Sequence, residues 1–294
     1  AIPVTVKGKV TGNILVLKAQ VAGASTGTDS TAAAAAAGST EKSVTESMAS
    51  VYVSSPPSSA SNQPTFLDYV SGGCGLNVIV AIDFTGSNGD PRKPGTLHHL
   101  DSASKNDYEK AISAILGSLA KCDSDRMFPV VGFGAKHDGV LRHCFQCGST
   151  EEVHGVAGVL EAYHQTFKSG LIMSSPTVFT EVIESAAAGA LSSQEKATQK
   201  GQQAYTILLI VTDGAVADSQ ATAASLQQVS DAPLSVVIVG VGDADFSSME
   251  FLDDSSKPGQ RDIAQFVQMN KHQTSSADLS SVTLREIPQQ YVLS

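Results

Sequence analysis

The sequence predicts an α/β protein with a Rossmann-like, doubly wound and mostly parallel sheet flanked by helices. Three apolar runs, over 76–83, 205–212 and 234–241, lack the alternation of a half-exposed strand, so they indicate strands buried on both faces. Segments with apolar residues at helical spacing separate these runs. Strands that alternate with helices along a chain are typical of a parallel sheet with helices on both sides.

The remaining elements follow in order from the first buried strand. Apolar positions in 106–120 recur every three or four residues, and Asn106 with Glu109 three residues later forms the pattern of a capping box. The same criteria predict further strands over 128–133, 140–145 and 263–269, and further helices over 153–167, 179–191, 218–230 and 276–287.

Residues 1–65 differ in composition from residues 66–294, and we treat them as a separate, β-rich part of the chain. Two alternating segments, 4–10 and 14–21, flank Thr11-Gly12-Asn13 and predict a β-hairpin. The stretch 23–63 is rich in Ala, Ser, Thr, Gly and Pro and predicts a flexible, low-complexity insertion, with a short ordered element as the alternative.

Composition excludes several classes of function. The formal net charge of −10 argues against nonspecific nucleic-acid binding, because such binding requires a basic surface. No apolar run reaches the length of a membrane span, and the first residues do not resemble a signal peptide. The chain lacks an initiator Met, so we expect a fragment of a longer protein.

Four cysteines in 294 residues indicate a reducing, cytosolic setting, and Cys144 and Cys147 are expected to be structural thiols.

Polar side chains follow two of the buried strands. Asp83 ends the first strand and Asp213 follows the strand over 205–212, so neighbouring strands would bring both carboxylates to one edge of the sheet. Hydroxyl groups accompany them in the loops. The candidate set is Asp83, Thr85, Ser87, Thr177 and Asp213. These hard oxygen donors suit Mg²⁺, Mn²⁺ or Ca²⁺ rather than Zn²⁺.

The pattern D-x-T-x-S, a later loop Thr and T-D-G resemble the metal-ion-dependent adhesion site of von Willebrand factor A-type domains. Longer segments resemble the copine family in family order, between Phe66 and Tyr291: among them are FLDYVSGGCGLNVIVAIDFTGSNGDP, SPTVFTEVI, LLIVTDGAVAD and VVIVGVGDADFSSMEFLD. The resemblance makes Thr85, Ser87 and Thr177 hydroxyl ligands of a cation. Asp83 and Asp213 would then act directly or through water, with Asp90 and Asp243 as outer residues.

The resemblance implies a non-enzymatic domain that binds protein ligands through Mg²⁺ or Mn²⁺, with Ca²⁺ as a further candidate. An acidic side chain of the partner would complete the coordination of the cation. The parent protein would bind membrane phospholipids in response to calcium. It would be cytoplasmic, recruited to membranes, and active in membrane trafficking or signalling. Residues 1–65 would be the remnant of a lipid-binding module, without its calcium ligands, since Asp29 is the only Asp before Asp68.

Two alternatives remain open on the sequence alone. Plant ubiquitin ligases join a similar A-type domain to a C-terminal RING, which requires about eight Cys and His ligands in paired spacing. A metal-dependent hydrolase would need a general base near the cation, and His98 or His99 would reach it only if their loop folds over the site. Otherwise we expect both histidines to be exposed or packed within the loop.

Overall fold

A computed structural model describes residues 2–6, 9–14, 73–119, 123, 125–214, 216–253, 260–272 and 276–292. The chain divides into two units, residues 1–55 and 56–294. In the first unit, strand β1 (Ile2–Val6) pairs antiparallel with strand β2 (Lys9–Ile14). The predicted turn at 11–13 is wrong, because Gly12 lies opposite Val4 within the ladder. Both Gly8 and Gly12 suit a turn, and alternation alone does not choose between them. The stretch 23–63 lies outside the described residues.

The second unit alternates strands and helices from residue 75 onward. Its strands are β3 (Gly75–Asp83), β4 (Met127–Phe133), β5 (Ala135–His137), β6 (Val140–Arg142), β7 (Phe145–Gln146), β8 (Glu152–His154), β9 (Ile172–Met173), β10 (Ala204–Thr212), β11 (Leu234–Gly240) and β12 (Ala264–Gln268). Its helices are α1 (Asp107–Leu119), α2 (Gly155–Lys168), α3 (Thr180–Thr198), α4 (Ser219–Gln228), α5 (Ser247–Asp253), α6 (Ser276–Thr283) and α7 (Ile287–Val292).

Five parallel strands form the centre of the main sheet, in the order β12-β11-β10-β3-β4. Strands β7 and β8 both pair antiparallel with β4 at one side. From β3 the chain moves to β4 on one side, and from β10 it moves to β11 and β12 on the other. The order therefore reverses between β3 and β10, where doubly wound sheets place their sites. The predicted α/β fold, with a mostly parallel sheet flanked by helices, is confirmed.

Apolar side chains cover both faces of this sheet. One core joins alternate residues of β3 and β10 to helices α1, α2 and α7, and the other joins the intervening residues to α3, α4 and α5. All nine residues of β10 are buried, which explains why this strand reads as a continuous apolar run. No helix in the described part of the chain combines the length and apolarity that crossing a bilayer requires.

Three predicted elements differ from the structure in their limits. The segment 140–145 divides into β6 and β7, and helix α3 continues to Thr198. The helix predicted over 276–287 is two helices, since α6 ends at Thr283 and α7 begins at Ile287. Pro288 lies in the first turn of α7, where its missing N–H costs no helical hydrogen bond. The capping box of α1 is confirmed by reciprocal hydrogen bonds between Asn106 and Glu109, of 3.0 and 2.8 Å.

The guanidinium of Arg261 ties α7 to the edge of the sheet where the parallel strands begin. It donates to the carbonyl oxygens of Ser230 at 2.9 Å, Gln290 at 2.8 Å and Leu234 at 3.1 Å, and also to that of Ala232. At the same edge, the Tyr291 hydroxyl lies 3.1 Å from the Cys74 sulfur, next to the start of β3. The last described helix is therefore anchored beside the first strand of the unit.

Leu208→Ala should reduce the free energy of unfolding by about 2–5 kcal/mol, because Leu208 is fully buried between β10 and its covering helices. Leu191→Ala is the matched control: Leu191 is 55% exposed on α3, and its truncation should change stability by less than about 0.5 kcal/mol. Urea denaturation followed by circular dichroism measures both. Equal losses in the two variants would contradict the placement of this core.

Candidate metal site

The two candidate carboxylates lie at the point where the strand order reverses. Strands β3 and β10 pair in parallel from Ala204 opposite Gly75 to Val211 opposite Ile82. Asp83 is the last residue of β3, and Asp213 immediately follows β10. The carboxyl ends of two adjacent strands therefore present both side chains at one edge of the sheet.

The Asp83 side chain is fully buried and held on both of its oxygens. The backbone N–H of Thr85 donates to Oδ1 at 2.8 Å, and the Thr212 hydroxyl donates to Oδ2 at 2.5 Å. Thr212 is the last residue of β10, so the neighbouring strand fixes the carboxylate in place. Asp83 thus forms the buried floor of the site.

A 3₁₀ turn after β3, Gly86–Asn88, brings two hydroxyl groups together above this floor. The Ser87 hydroxyl donates to Oδ1 of Asp213 at 3.0 Å, and its oxygen lies 3.0 Å from Oγ1 of Thr85. The structure therefore joins Asp83, Thr85, Ser87 and Asp213 in one hydrogen-bonded group.

Asn88 connects this group to helix α1. Its side chain is buried, its Oδ1 accepts a hydrogen bond of 2.6 Å from the Tyr108 hydroxyl, and its Nδ2 donates to Oγ1 of Thr85 at 3.3 Å and to the carbonyl oxygen of Thr85 at 3.2 Å. Because Tyr108 donates to Oδ1, the orientation of the Asn88 amide is fixed, and its NH₂ group faces Thr85.

These contacts allow one consistent set of hydroxyl hydrogen-bond directions, and the Thr85 hydroxyl also lies within reach of both carboxylates. Ser87 uses its one proton on Asp213, so it accepts the proton of Thr85, and Thr85 accepts from Asn88. A hydroxyl oxygen has two lone pairs, so one lone pair remains on each of Thr85 and Ser87. Two neutral oxygens with a free lone pair beside two carboxylates form a donor set that suits a hard divalent cation.

The electrostatics of the two carboxyl groups favour a cation at this position. Burial, together with the nearby charge of Asp213, raises the pKa of Asp83 to about 7. Burial also raises the pKa of Asp213 above its ordinary value. A divalent cation would offset both effects, so the residues present fit a metal site. Within the described residues no group of three or more His, Cys, Asp or Glu lies together, so this set depends on its hydroxyls.

Thr177 lies on the loop between β9 and α3, half-buried and next to a cis peptide bond between Ser175 and Pro176. Its carbonyl oxygen accepts a 2.9 Å hydrogen bond from the N–H of Ala217, in the loop after Asp213. The backbone therefore connects Thr177 to the segment that follows the site. A ligand role for its hydroxyl stays a prediction.

The two residues predicted to lie farther out have other hydrogen-bond partners. Arg92 donates from its Nε and Nη2 to the Asp90 carboxylate at 2.9 Å each, and these bonds lower the pKa of Asp90 to about 2. Asp243 accepts from Asn270 at 2.6 Å. Their participation in cation binding remains a prediction.

His98 lies beneath the site, fully buried against a cluster of aromatic rings that includes Phe84 and Tyr163. Of the two placements expected for His98, exposed or packed within its loop, the structure shows a packed one, but the ring packs against side chains of α1 and α2 rather than within the loop. Its Nε2 lies 2.8 Å from the carbonyl oxygen of Asp83, which only accepts, so Nε2 carries the proton. Nδ1 accepts from the Tyr163 hydroxyl at 2.8 Å, and burial lowers the pKa of His98 to about 3. Since both nitrogens are occupied, His98 is not placed to serve as a general base.

Sequence reasoning missed the residues that support the site. The sequence pattern assigns Thr212 to a strand, Asn88 to a turn and Tyr108 to the buried face of a helix. Helical spacing predicts that a tyrosine is buried, but it does not predict what its hydroxyl group contacts. Nothing in the run Thr96-Leu97-His98-His99 separates the buried histidine from its neighbour.

The described cysteines at 74, 144 and 147 are free thiols, and burial raises the pKa of Cys147 to about 12.

Comparison with known proteins connects the chain with one family. The profile of the Copine family matches residues 96–294. Copine-B of Dictyostelium discoideum is 43% identical over 238 residues, which cover 78% of this chain and 44% of that protein. Protein BONZAI 1 of Arabidopsis thaliana is 40% identical over 242 residues, covering 78% of this chain and 41% of that protein. The chain spans less than half of the length of these relatives.

A crystal structure of manganese-loaded Plasmodium vivax TRAP protein superposes with a TM-score of 0.41 at 11% identity, over 70% of this chain and 71% of that one.

Asp83 should destabilise the metal-free protein as the pH rises. An unfolded Asp ionises near pH 4, whereas folded Asp83 has a pKa of about 7, so its contribution is complete below pH 4 and is lost as the pH passes 7. His98, whose pKa is lowered, has the opposite effect: it increases the stability of the protein as the pH rises from about 3 to 6.5. The effect of Asp83 is therefore measured as the difference in stability between wild type and Asp83→Asn, because both proteins contain His98. With a chelator present, the stability of Asp83→Asn relative to wild type should increase by about 1–3 kcal/mol between pH 5 and 8.

Urea denaturation at both pH values measures this difference, and Asp138→Asn, on an exposed turn, is the control that should follow wild type. A difference between Asp83→Asn and wild type that does not change with pH would show that Asp83 is not buried in charged form at neutral pH. Excess Mg²⁺ should restore the wild-type stability at pH 8.

Tyr108→Phe should weaken Mg²⁺ binding by about 10-fold, because outer partners that orient a ligand typically contribute 10–100-fold to metal affinity. The change removes the hydrogen bond that fixes the Asn88 amide. Tyr205→Phe is the matched control: that hydroxyl is also buried, but it bonds Ser235 at the opposite edge of the sheet. Isothermal titration calorimetry should find unchanged affinity in the control. Equal affinities in both variants would refute the orienting role of Tyr108.

Proposed function

This chain belongs to the copine family, and on that premise we propose that residues 66–294 form a divalent-cation-dependent protein-binding domain. The observation that carries the proposal is the hydrogen-bonded group at the ends of β3 and β10. Its proton directions leave one lone pair free on each of Thr85 and Ser87, beside two carboxylates.

Thr85 and Ser87 would hold the cation directly, with Asp83 and Asp213 directly or through water. When bound, the cation would supply a coordination position for an acidic side chain of a partner protein. The prevalence of neutral hydroxyl donors favours Mg²⁺ or Mn²⁺, since Mg²⁺ takes few protein ligands and retains waters. Ca²⁺ remains a third candidate, because it also takes oxygen ligands.

The arrangement supports recognition rather than catalysis. A hydrolytic site needs a base that can accept a proton from water near the cation. Of the described residues next to the site, His98 has both nitrogens engaged, and Asp83 uses both oxygens for hydrogen bonds inside the fold. Asp213 accepts from Ser87 and would be neutralised by the cation. We therefore propose a non-enzymatic domain.

We assign the calcium-dependent phospholipid binding of the parent protein to parts other than this domain. The chain carries a formal net charge of −10, which repels both anionic lipids and nucleic acids. A cytoplasmic parent protein recruited to membranes by calcium would then use residues 66–294 to bring a protein partner to the membrane.

Calorimetric titration of Mg²⁺, Mn²⁺ and Ca²⁺ into the metal-free protein should show saturable binding at one site. Ser87→Ala removes a hydroxyl oxygen that would bind the cation, and Asp213→Asn replaces a carboxylate by a neutral amide. Each should lower affinity by at least about 10-fold, or about 1.4 kcal/mol. Asp243→Asn should have a smaller effect, because its carboxylate is exposed and bonded to Asn270.

Asp138→Asn again serves as the control with full affinity. Circular dichroism should show that all variants are folded. Absence of binding by the wild-type protein to all three cations would refute the proposed function. Wild-type binding that persists unchanged in Ser87→Ala would place the cation elsewhere.

A further inference from the structure

A small antiparallel sheet, β6-β5-β9, lies beside the candidate metal site. Strands β5 and β6 form a hairpin whose two turn residues, Asp138 and Gly139, have φ values of 53° and 77°, as the tight turns of hairpins require. Strand β9 pairs on the other side of β5. We call this three-stranded sheet the side sheet.

The two faces of the side sheet differ sharply. Ala135 is fully buried, and His137 stacks on Phe145 at 5.0 Å, so this face packs on the core. Lys136, between them, points to the opposite face. Register places Leu141 and Ile172 on either side of Lys136 in one row. The outer face of the side sheet therefore carries an apolar, a basic and an apolar side chain side by side.

This row is unusually exposed. Leu141 is 38% and Ile172 is 60% exposed. Val140, which the register places on the other face of the hairpin opposite His137, is 55% exposed. Elsewhere in the described residues, exposed large apolar side chains occur singly, at Leu191 and Phe251. The ion pairs of the described residues do not include Lys136, so an exposed cation lies between the two apolar side chains of the row.

The side sheet is continuous with the metal site. Ser174, directly after β9, forms a parallel bridge with Thr85, and its carbonyl oxygen accepts a 2.6 Å hydrogen bond from the N–H of Gly86. Gly134, directly before β5, lies against Thr85: a Cβ there would be 2.2 Å from the Thr85 methyl carbon. Ile172 is two residues, or about 7 Å along the strand, from Ser174.

We propose that the outer row of the side sheet docks a partner protein through an extended segment with acidic and apolar residues. This inference rests on the proposed function. One carboxylate of the segment reaches the cation, and two of its apolar side chains lie on Leu141 and Ile172. These two residues are about 10 Å apart, because β5 lies between their strands. Lys136, in the middle of the row, attracts the acidic segment to a chain whose overall charge is negative.

Charge and continuity favour a protein over the other candidate occupants. The turn of the hairpin carries Asp138, whose side chain is 78% exposed, and a carboxylate at the tip opposes insertion into an anionic membrane. A second copy of the chain would bring another net charge of −10 to the same surface.

The test begins with a random peptide library displayed on phage and selected on the full chain in Mg²⁺. Enriched peptides should combine an acidic residue with Leu, Ile, Val or Phe two or four positions away. The most enriched peptide, synthesised, should bind the Leu141→Ser/Ile172→Ser variant at least about 10-fold more weakly than wild type. The matched control Leu191→Ser/Phe251→Ser, with equally exposed positions, should bind as wild type. Lys136→Glu should weaken binding most at low salt.

The outcomes separate this inference from the proposed function. Binding that is lost with a chelator and in Ser87→Ala, but stays within twofold of wild type in Leu141→Ser/Ile172→Ser, overturns the docking surface and leaves the proposed function intact. Binding that survives the chelator and Ser87→Ala, but is lost in Leu141→Ser/Ile172→Ser, refutes the proposed function and supports the surface. Two further results would overturn the choice of partner, provided that Leu141→Ser/Ile172→Ser abolishes them. One is a dimer of the wild-type chain in light scattering, and the other is its cosedimentation with vesicles of equal parts phosphatidylcholine and phosphatidylserine.

Discussion

The repulsion between two carboxylates at the ends of adjacent buried strands is the constraint on which the site depends. Parallel pairing of β3 and β10 leaves Asp83 and Asp213 at one edge of the sheet, and burial removes the water that would screen them. Several nearby donors are directed at these groups. Thr212 and the N–H of Thr85 stabilise Asp83, and Ser87 stabilises Asp213. A cation is the remaining element that would balance the charge.

Much of the support of this site comes from one face of the sheet. Helix α1 supplies Tyr108, and helix α2 supplies Tyr163, which bonds both His98 and Asn106. The Tyr108 hydroxyl bonds Asn88, and the Tyr163 hydroxyl bonds His98. The same two tyrosines therefore pack in the core and hold the residues that support the site loop. The opposite face carries the apolar helices α3, α4 and α5, and the segment that leads into α3 contacts the site loop through the hydrogen bond from the N–H of Gly86 to the carbonyl oxygen of Ser174. The helices on one face of the sheet and the side sheet beside the loop therefore both fix the position of the site.

The fold was predictable because its signals are local in sequence. Buried parallel strands are continuous apolar runs, and the capping box of α1 is a four-residue pattern. Asp83 and Asp213 were identifiable as a pair because each follows such a run. Their supporting residues were not, since Asn88 and Tyr108 meet only when α1 packs on the sheet. The same limit applies to residues 276–287, where Pro288 is equally consistent with the end of one helix or the first turn of another.

Tyr291 and Cys74 meet at the edge of the sheet where the parallel strands begin. The chain therefore enters β3 and passes through α7 at almost one point, while the candidate site lies a full strand away. For the nine residues of β3 this separation is about 30 Å. A force between a bound partner and the rest of the parent protein would run along the strands. Because Asp83, Thr85 and Ser87 follow β3 itself, the backbone of β3 would carry this force, and its hydrogen bonds to β10 and β4 would share the load with the rest of the sheet by shear.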